Sequence, residues 1–139
     1  DSGIGGTIWH MQAALSYLKE SKGAIVNFGS RQGTHGAEDY GAYAAAKEGI
    51  RGISRVAARE FGPHGIRVNV VNPAAETEPA KEFFATNPGA REFFENQASL
   101  RRMGDPANDI APVILFLCSR AGAYLTGQTL NLDGGQVMF

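Results

Sequence analysis

The sequence predicts an α/β domain, a parallel sheet with helices packed on its faces. Three observations predict it. Helical periodicity and short apolar runs alternate in the order helix, strand, helix, strand, helices, strand, the pattern of strands joined by crossover helices. The run "AIVNF" at 24–28 is apolar and short, as suits a strand covered on both faces. Glycine supplies 18 of the 139 residues, nearly twice the usual share of about 7%, so tight turns and close backbone approaches are expected.

Each element has its own signal. Ile8, Met11, Leu15 and Leu18 fall at spacings of three and four, which predicts a helix from about Gly5 to Lys19. "SKG" at 21–23 ends it, and "AIVNF" follows as the first strand. A loop rich in glycine and polar residues is expected from Gly29 to Tyr40. A second helix runs from about Tyr43 to Phe61, with Ala46, Ile50, Ile53, Ala57 and Phe61 as its buried stripe, and "GPHG" at 62–65 stops it. "IRVNVVN" at 66–72 is the second strand, closed by Pro73. Residues 78–100 read as helical with a break at "NPG", 87–89. "DPANDIA" opens another helix: Asp105 is a good cap, and Pro106 stands at the first helical position, where a missing N–H is harmless. Pro112 is expected to kink that helix. "QTLNLDGG" at 128–135 gives the last strand and a turn. A three-stranded sheet that starts from a helix leaves its first strand with an open edge.

Composition narrows the function classes. The length suits one domain, and 43% hydrophobic with 19% charged residues fits a folded globular chain. A net charge of −1 gives no electrostatic footprint for nucleic acid or an anionic membrane surface. The longest apolar run, "VILFLC" at 113–118, is far shorter than a membrane span. Cys118 is the single cysteine, which excludes an internal disulfide and fits a reducing compartment such as the cytoplasm. His10, His35 and His64 are scattered, and no metal-ligand spacing occurs.

The chemistry gathers at the carboxyl ends of the strands, where ligands of parallel sheets bind. Ser30 follows the first strand, "YAAAK" (43–47) opens the next helix, and "NPAAET" (72–77) leaves the second strand. Alanine is the strongest helix former, and residues four apart share a helix face, so Tyr43 and Lys47 stand side by side. Alone, such a pair reads as an ordinary solvated helix face. Together with Ser30 it reads differently. An ammonium about 5 Å from a phenolate contributes roughly 3 kcal/mol at an effective dielectric near 20, so Lys47 suits Tyr43 to exchange a proton with an alcohol or carbonyl oxygen. The Ser30 hydroxyl can donate a second hydrogen bond to that oxygen. This is half of a carbonyl reduction; the hydride has to come from a cofactor.

With those residues in place, the sequence resembles the short-chain dehydrogenase/reductase family, whose motif is Tyr-x-x-x-Lys with a serine thirteen residues before the tyrosine. Tyr43, Lys47 and Ser30 match it. "GAIVNFGS", "HGIRVNVVNP" and "YLTGQTLNLDGG" resemble the strand before the family's serine, its next strand and its C-terminal signature. The resemblance covers essentially the whole chain but only the family's C-terminal half. The family's Gly-rich phosphate loop and "NNAG"-like segment do not occur, and the chain starts at Asp1, so it is expected to be a fragment, or a chain recorded without its first half.

The resemblance implies a fold, a reaction and roles. The fold is the C-terminal half of a doubly wound parallel, Rossmann-like sheet with helices on both faces. Residues 1–139 are then the catalytic part of one NAD(P)-binding domain, and 78–104 its substrate lid. The reaction moves a hydride between NAD or NADP and a small-molecule secondary alcohol or ketone. Tyr43 is the general acid/base and Ser30 binds the substrate oxygen. Lys47 favours the phenolate and, with Tyr43, contacts the nicotinamide ribose. Pro73, Ala74, Ala75 and Thr77 line the nicotinamide. A homotetramer is implied, because the helices at 5–19 and 43–61 resemble the family's subunit-contact helices.

Some positions depart from the pattern or stay open. Gly3 stands at the family's usual catalytic asparagine, "PA" at 73–74 replaces "PG", and Glu78 stands where a threonine is common, with Thr77 one residue early. These departures keep a second reading alive, a dinucleotide-binding module with little turnover, beside a third, a fragment with no activity of its own. Arg31, Gln32 and His35 follow the serine and are open to substrate contact; Gln32 is read equally as a substrate contact or a loop residue, Arg31 and His35 as loop residues in preference to substrate contacts. Phe83, Phe84, Phe93 and Phe94 either face an apolar substrate or pack the lid onto the body. Cys118 is expected in apolar packing, Asn69 and Asn72 either pinning loop backbone or ending a strand, and Asp133-Gly134-Gly135 in a structural turn.

Overall fold

The apolar runs form adjacent parallel strands in the computed structural model, which describes residues 3–138. Asp1, Ser2 and Phe139, part of the expected 1–139 span, lie outside the described residues. The strands are β1 (Ala24–Phe28), β2 (Arg67–Pro73) and β3 (Thr129–Leu132), in the spatial order β1-β2-β3. Ala24 to Phe28 pair with Arg67 to Val71, and Val70 to Pro73 pair with Thr129 to Leu132. All pairs are parallel, so every connection is a crossover.

Helices α1 (Ile4–Ser21) and α3 (Gly41–Phe61) carry the stripes read from the sequence. Met11 of α1 joins Ala57, Ala58, Ile66 and Val68 in one buried cluster, with Leu15, Leu18, Ile25, Ile53 and Phe61 packed against it. Arg67 and Asn69 flank Val68 on β2 and therefore point to the opposite face. There Arg67 donates to Leu117 O (2.5 Å), Gly122 O (2.8 Å) and Ser119 O (3.3 Å), holding the end of α6 (Ala111–Cys118). Asn69 pins the loop before β3, donating to Leu125 O at 2.8 Å and accepting from Gln128 N at 3.1 Å. Helices thus lie on both faces. Asp133 caps the turn after β3, accepting from the N–H groups of Gly135, Gln136 and Val137.

The structure corrects four readings. The stretch expected as loop, 29–40, contains the short helix α2 (Arg31–His35), because Ser30 is extended and its hydroxyl accepts from Gln32 N as an N-cap. β1 is only half-buried, and Phe28 is exposed; β2 covers one of its edges, and no strand covers the other among the described residues. The helix expected from Pro106 begins as a π-helical turn at Pro106–Ile110, capped by Asp105, so Pro112 falls in the first turn of α6 instead of kinking a helix interior. Cys118 is exposed at the end of α6, not packed. No helix among the described residues is long and apolar enough to cross a membrane.

Candidate active site

Ser30 reaches the site because β1 delivers it there. Gly29 N still bonds Val71 O at 2.9 Å, so the chain leaves the sheet one residue before Ser30, which is 8% exposed. Its hydroxyl donates to Gln32 Oε1 and accepts from Gln32 N at 3.3 Å. Tyr43 and Lys47 come from the first turns of α3. The Lys47 ammonium lies 5.7 Å from the Tyr43 ring centre and donates to Phe28 O at 3.0 Å, on the end of β1. Tyr40 meets the Tyr43 ring edge-on at 5.9 Å.

Ser30, Gln32 and Tyr43 line one cavity of about 500 Å³ with Pro73, Ala74 and Ala75 from the end of β2. Its far wall is Phe83, Phe84, Phe94 and Met103. The structure therefore brings together most of the expected site. Two expected members stand elsewhere. Lys47 lines a separate groove of about 640 Å³ along β1, beside Tyr43. Thr77 is exposed and lines another hollow with Glu78, Lys81 and Asp105. The Gly3 carbonyl accepts from Thr7 N (3.1 Å) and Thr7 Oγ1 (3.2 Å), inside the first turn of α1. His35 lines an adjoining cavity of about 340 Å³.

Arg31, read from the sequence as a loop residue in preference to a substrate contact, begins α2. It lines both that cavity and the 500 Å³ one. The only signal available was its place beside Ser30, which says nothing of where a long side chain ends.

Residues 78–104 fold as α4 (Glu78–Thr86) and α5 (Ala90–Gln97), parted at Asn87–Gly89, where Gly89 takes φ +84°, a conformation that favours glycine. The four phenylalanines form one cluster with centre distances of 5.5–6.5 Å, three pairs edge-on and Phe84–Phe94 tilted. Phe83, Phe84 and Phe94 face the cavity, while Phe93 is exposed, so one cluster both packs the segment and walls the cavity. Polar ties hold α5 down. Arg91 grips both oxygens of Glu76, with Nη1 to Oε2 at 2.9 Å, and lies 5.1 Å over the Phe84 ring. Arg31 donates to Gln97 at 2.7 Å.

The Arg91 guanidinium holds the Glu76 carboxyl below its usual range. A depressed folded value means the tie is fully present above the ordinary glutamate value, about 4.3, and lost as pH falls through the lower folded one. Both partners are accessible to solvent, so the effect is local. Protection of α5 amides from hydrogen exchange, measured as protection factors, should fall as pH drops below about 4. Glu76→Gln should remove that pH dependence; an unchanged profile would rule the tie out.

Comparison with known proteins places this geometry. A family model described as enoyl-(acyl carrier protein) reductase matches residues 3–136. The chain is 44% identical over 134 residues to a 12alpha-hydroxysteroid dehydrogenase of a Clostridium species, covering 96% of this chain and 52% of that protein. It is 40% identical over 122 residues to the 3-oxoacyl-[acyl-carrier-protein] reductase FabG of Vibrio cholerae, covering 87% and 48%. Among solved structures, sorbitol-6-phosphate 2-dehydrogenase SrlD of Erwinia amylovora superposes with a TM-score of 0.87 at 25% identity, covering 96% and 57%. ElxO with NADP bound superposes with a TM-score of 0.85 at 29% identity, covering 94% and 53%. The chain spans about half the length of the curated relatives it matches.

Proposed function

The chain belongs to the short-chain dehydrogenase/reductase family, and we propose that it is the catalytic half of an oxidoreductase moving a hydride between NAD or NADP and a secondary alcohol or ketone. One observation carries the reading: Ser30 and Tyr43 line the same cavity, with the Lys47 ammonium 5.7 Å from the Tyr43 ring. The substrate oxygen sits between the two hydroxyls. Ser30 donates a hydrogen bond to it, which requires the Gln32 side chain to give up the Ser30 hydroxyl it now holds. Tyr43 gives its proton to that oxygen as a ketone becomes an alcohol, or takes it back in the reverse direction. Lys47 favours the phenolate this leaves. The half-exposed Tyr43 lets the proton be replaced from solvent.

The residues present fit the nicotinamide end of the cofactor. Pro73, Ala74 and Ala75 give a small, flat wall beside Tyr43, and the Lys47 ammonium has three donors, of which Phe28 O takes one. A nicotinamide held there supplies the hydride. We also propose a homotetramer, supported by exposed Trp9 and Tyr17 on α1 and Val56 on α3, and a cytoplasmic location, supported by the single cysteine.

A dinucleotide-binding module without turnover is the second reading. It is favoured by Gly3, which has no side chain and whose carbonyl is engaged by Thr7. The experiment follows NADH and NADPH oxidation against ketones and 3-oxoacyl thioesters, using the natural polypeptide in which these residues occur. Turnover that disappears in Ser30→Ala supports the catalytic reading. Cofactor binding with no turnover of any ketone in a broad panel supports the second.

A further inference from the structure

We propose that Arg31 anchors a carboxylate, so that the substrates of the proposed reaction are hydrophobic hydroxy or keto acids. This rests on reading the 500 Å³ cavity as the substrate site.

Arg31 is the only charged side chain lining that cavity among the described residues, and its wall is otherwise largely aromatic and aliphatic. Arg55, Arg59, Arg101 and Arg120 are exposed and also lack a carboxylate partner among the described residues, as an arginine in water can; the remaining four are engaged. Arg51, Arg91 and Arg102 each pair with a carboxylate: Glu48, Glu76 and Asp109. Arg67 is taken up by backbone carbonyls. Arg31 is half-buried, yet no carboxylate lies within 4.0 Å of it among the described residues. Its side-chain partners are neutral: Gln97 Oε1 at 2.7 Å and the face of Phe94 at 5.9 Å.

The five donors of a guanidinium are far from used up by one amide. Their fork matches the two oxygens of a carboxylate. No Asp or Glu lines this cavity or the adjoining one among the described residues, so no local charge repels such a group. Phe94 and Gln97 hold the guanidinium at the wall shared by the two cavities. A substrate with its reacting carbon at Ser30 and Tyr43 would lay its apolar body along Phe83, Phe84 and Phe94. Its acid group would then meet Arg31.

The test is calorimetric binding to the natural polypeptide, saturated with reduced cofactor so that alcohols bind without reacting. The probes are matched pairs: a hydroxysteroid carboxylate and its methyl ester, and a hydroxycyclohexanecarboxylate and its methyl ester. At least one acid should bind about 10-fold or more tighter than its ester. Arg31→Gln should weaken that acid by about 10- to 100-fold and leave the ester unchanged; Arg31→Lys should restore part of the difference. Acid and ester binding alike overturns the proposal, as does binding of neither member of any pair. An equal loss for both in Arg31→Gln also overturns it, since that marks a merely structural tie to Gln97. Should Arg31→Gln fail to fold, the acid–ester difference in the unaltered protein decides. Selective acid binding without hydride transfer would leave the anchor standing and sink the reaction; ketone turnover blind to the acid group would do the reverse.

Discussion

Replacing Tyr43 with phenylalanine is expected to lower kcat/KM for ketone reduction by about 10²- to 10⁴-fold, the usual worth of a positioned general acid. Cofactor affinity should change by no more than about tenfold, the upper net worth of one hydrogen bond. The substitution is clean because only the hydroxyl goes. The phenylalanine ring keeps the edge contact with Tyr40 and the place beside the Lys47 ammonium, 5.7 Å from the ring centre. On the proposed roles Ser30 would still hydrogen-bond the substrate oxygen, so binding should persist while the proton has no donor. The readout is NAD(P)H oxidation in steady state, with fluorescence titration of the cofactor alongside. Loss of turnover with binding kept assigns the proton to Tyr43. Turnover within about tenfold of the unaltered protein would remove Tyr43 from the chemistry, and "YAAAK" would be an ordinary piece of helix. An equal loss of binding and turnover would make Tyr43 a ribose contact instead.

The parts of this site legible in the sequence are those fixed by backbone position. Ser30 is readable because the end of an apolar strand says where the next residue goes. Tyr43 and Lys47 are readable because helical spacing puts them on one face. The parts that were not legible depend on where long side chains end. Arg31 and Thr77 are both one step from well-placed backbone, yet Arg31 reaches the cavity wall and Thr77 turns out to solvent. Helix α2 was hidden for another reason. Its five residues, "RQGTH", carry no apolar stripe, so periodicity could not show it. Its one signal was Ser30, which serves both as an N-cap and as a candidate site residue.

Gly29→Ala is expected to be the most damaging single-methyl change to the frame of the site, and the reason is space, not backbone freedom. A Cβ at Gly29 would fall well inside contact distance of Asn72 Oδ1 and 2.9 Å from Val70 Cγ1. Both neighbours sit in the middle of the sheet, at 1% exposure, and Asn72 is tied by its Nδ2 to Asn131 Oδ1 at 3.0 Å. Neither can swing away cheaply. Two effects compete. Losing a glycine stiffens the unfolded chain and stabilises by about 0.4–1 kcal/mol. Overpacking a tight interior costs about 1–3 kcal/mol, so destabilisation wins. The melting temperature should fall by roughly 2–4 °C for each kcal/mol lost. β1 leads into Ser30, so a shift of β1 that relieves the clash carries Ser30 away from Tyr43. Turnover should therefore fall further than stability alone explains. Asn72 Oδ1 is the one buried side-chain polar atom without a partner among the described residues, and the amide that carries it is held only through Nδ2. Removing it with Asn72→Ala strands the Asn131 oxygen and is itself destabilising. In the double variant, however, the new methyl group has somewhere to go. The two changes together should cost less than their sum, with a coupling of about 0.5–3 kcal/mol. Strict additivity in denaturant melts would mean that the methyl group is accommodated elsewhere, and that close packing at Gly29 is not what aims Ser30.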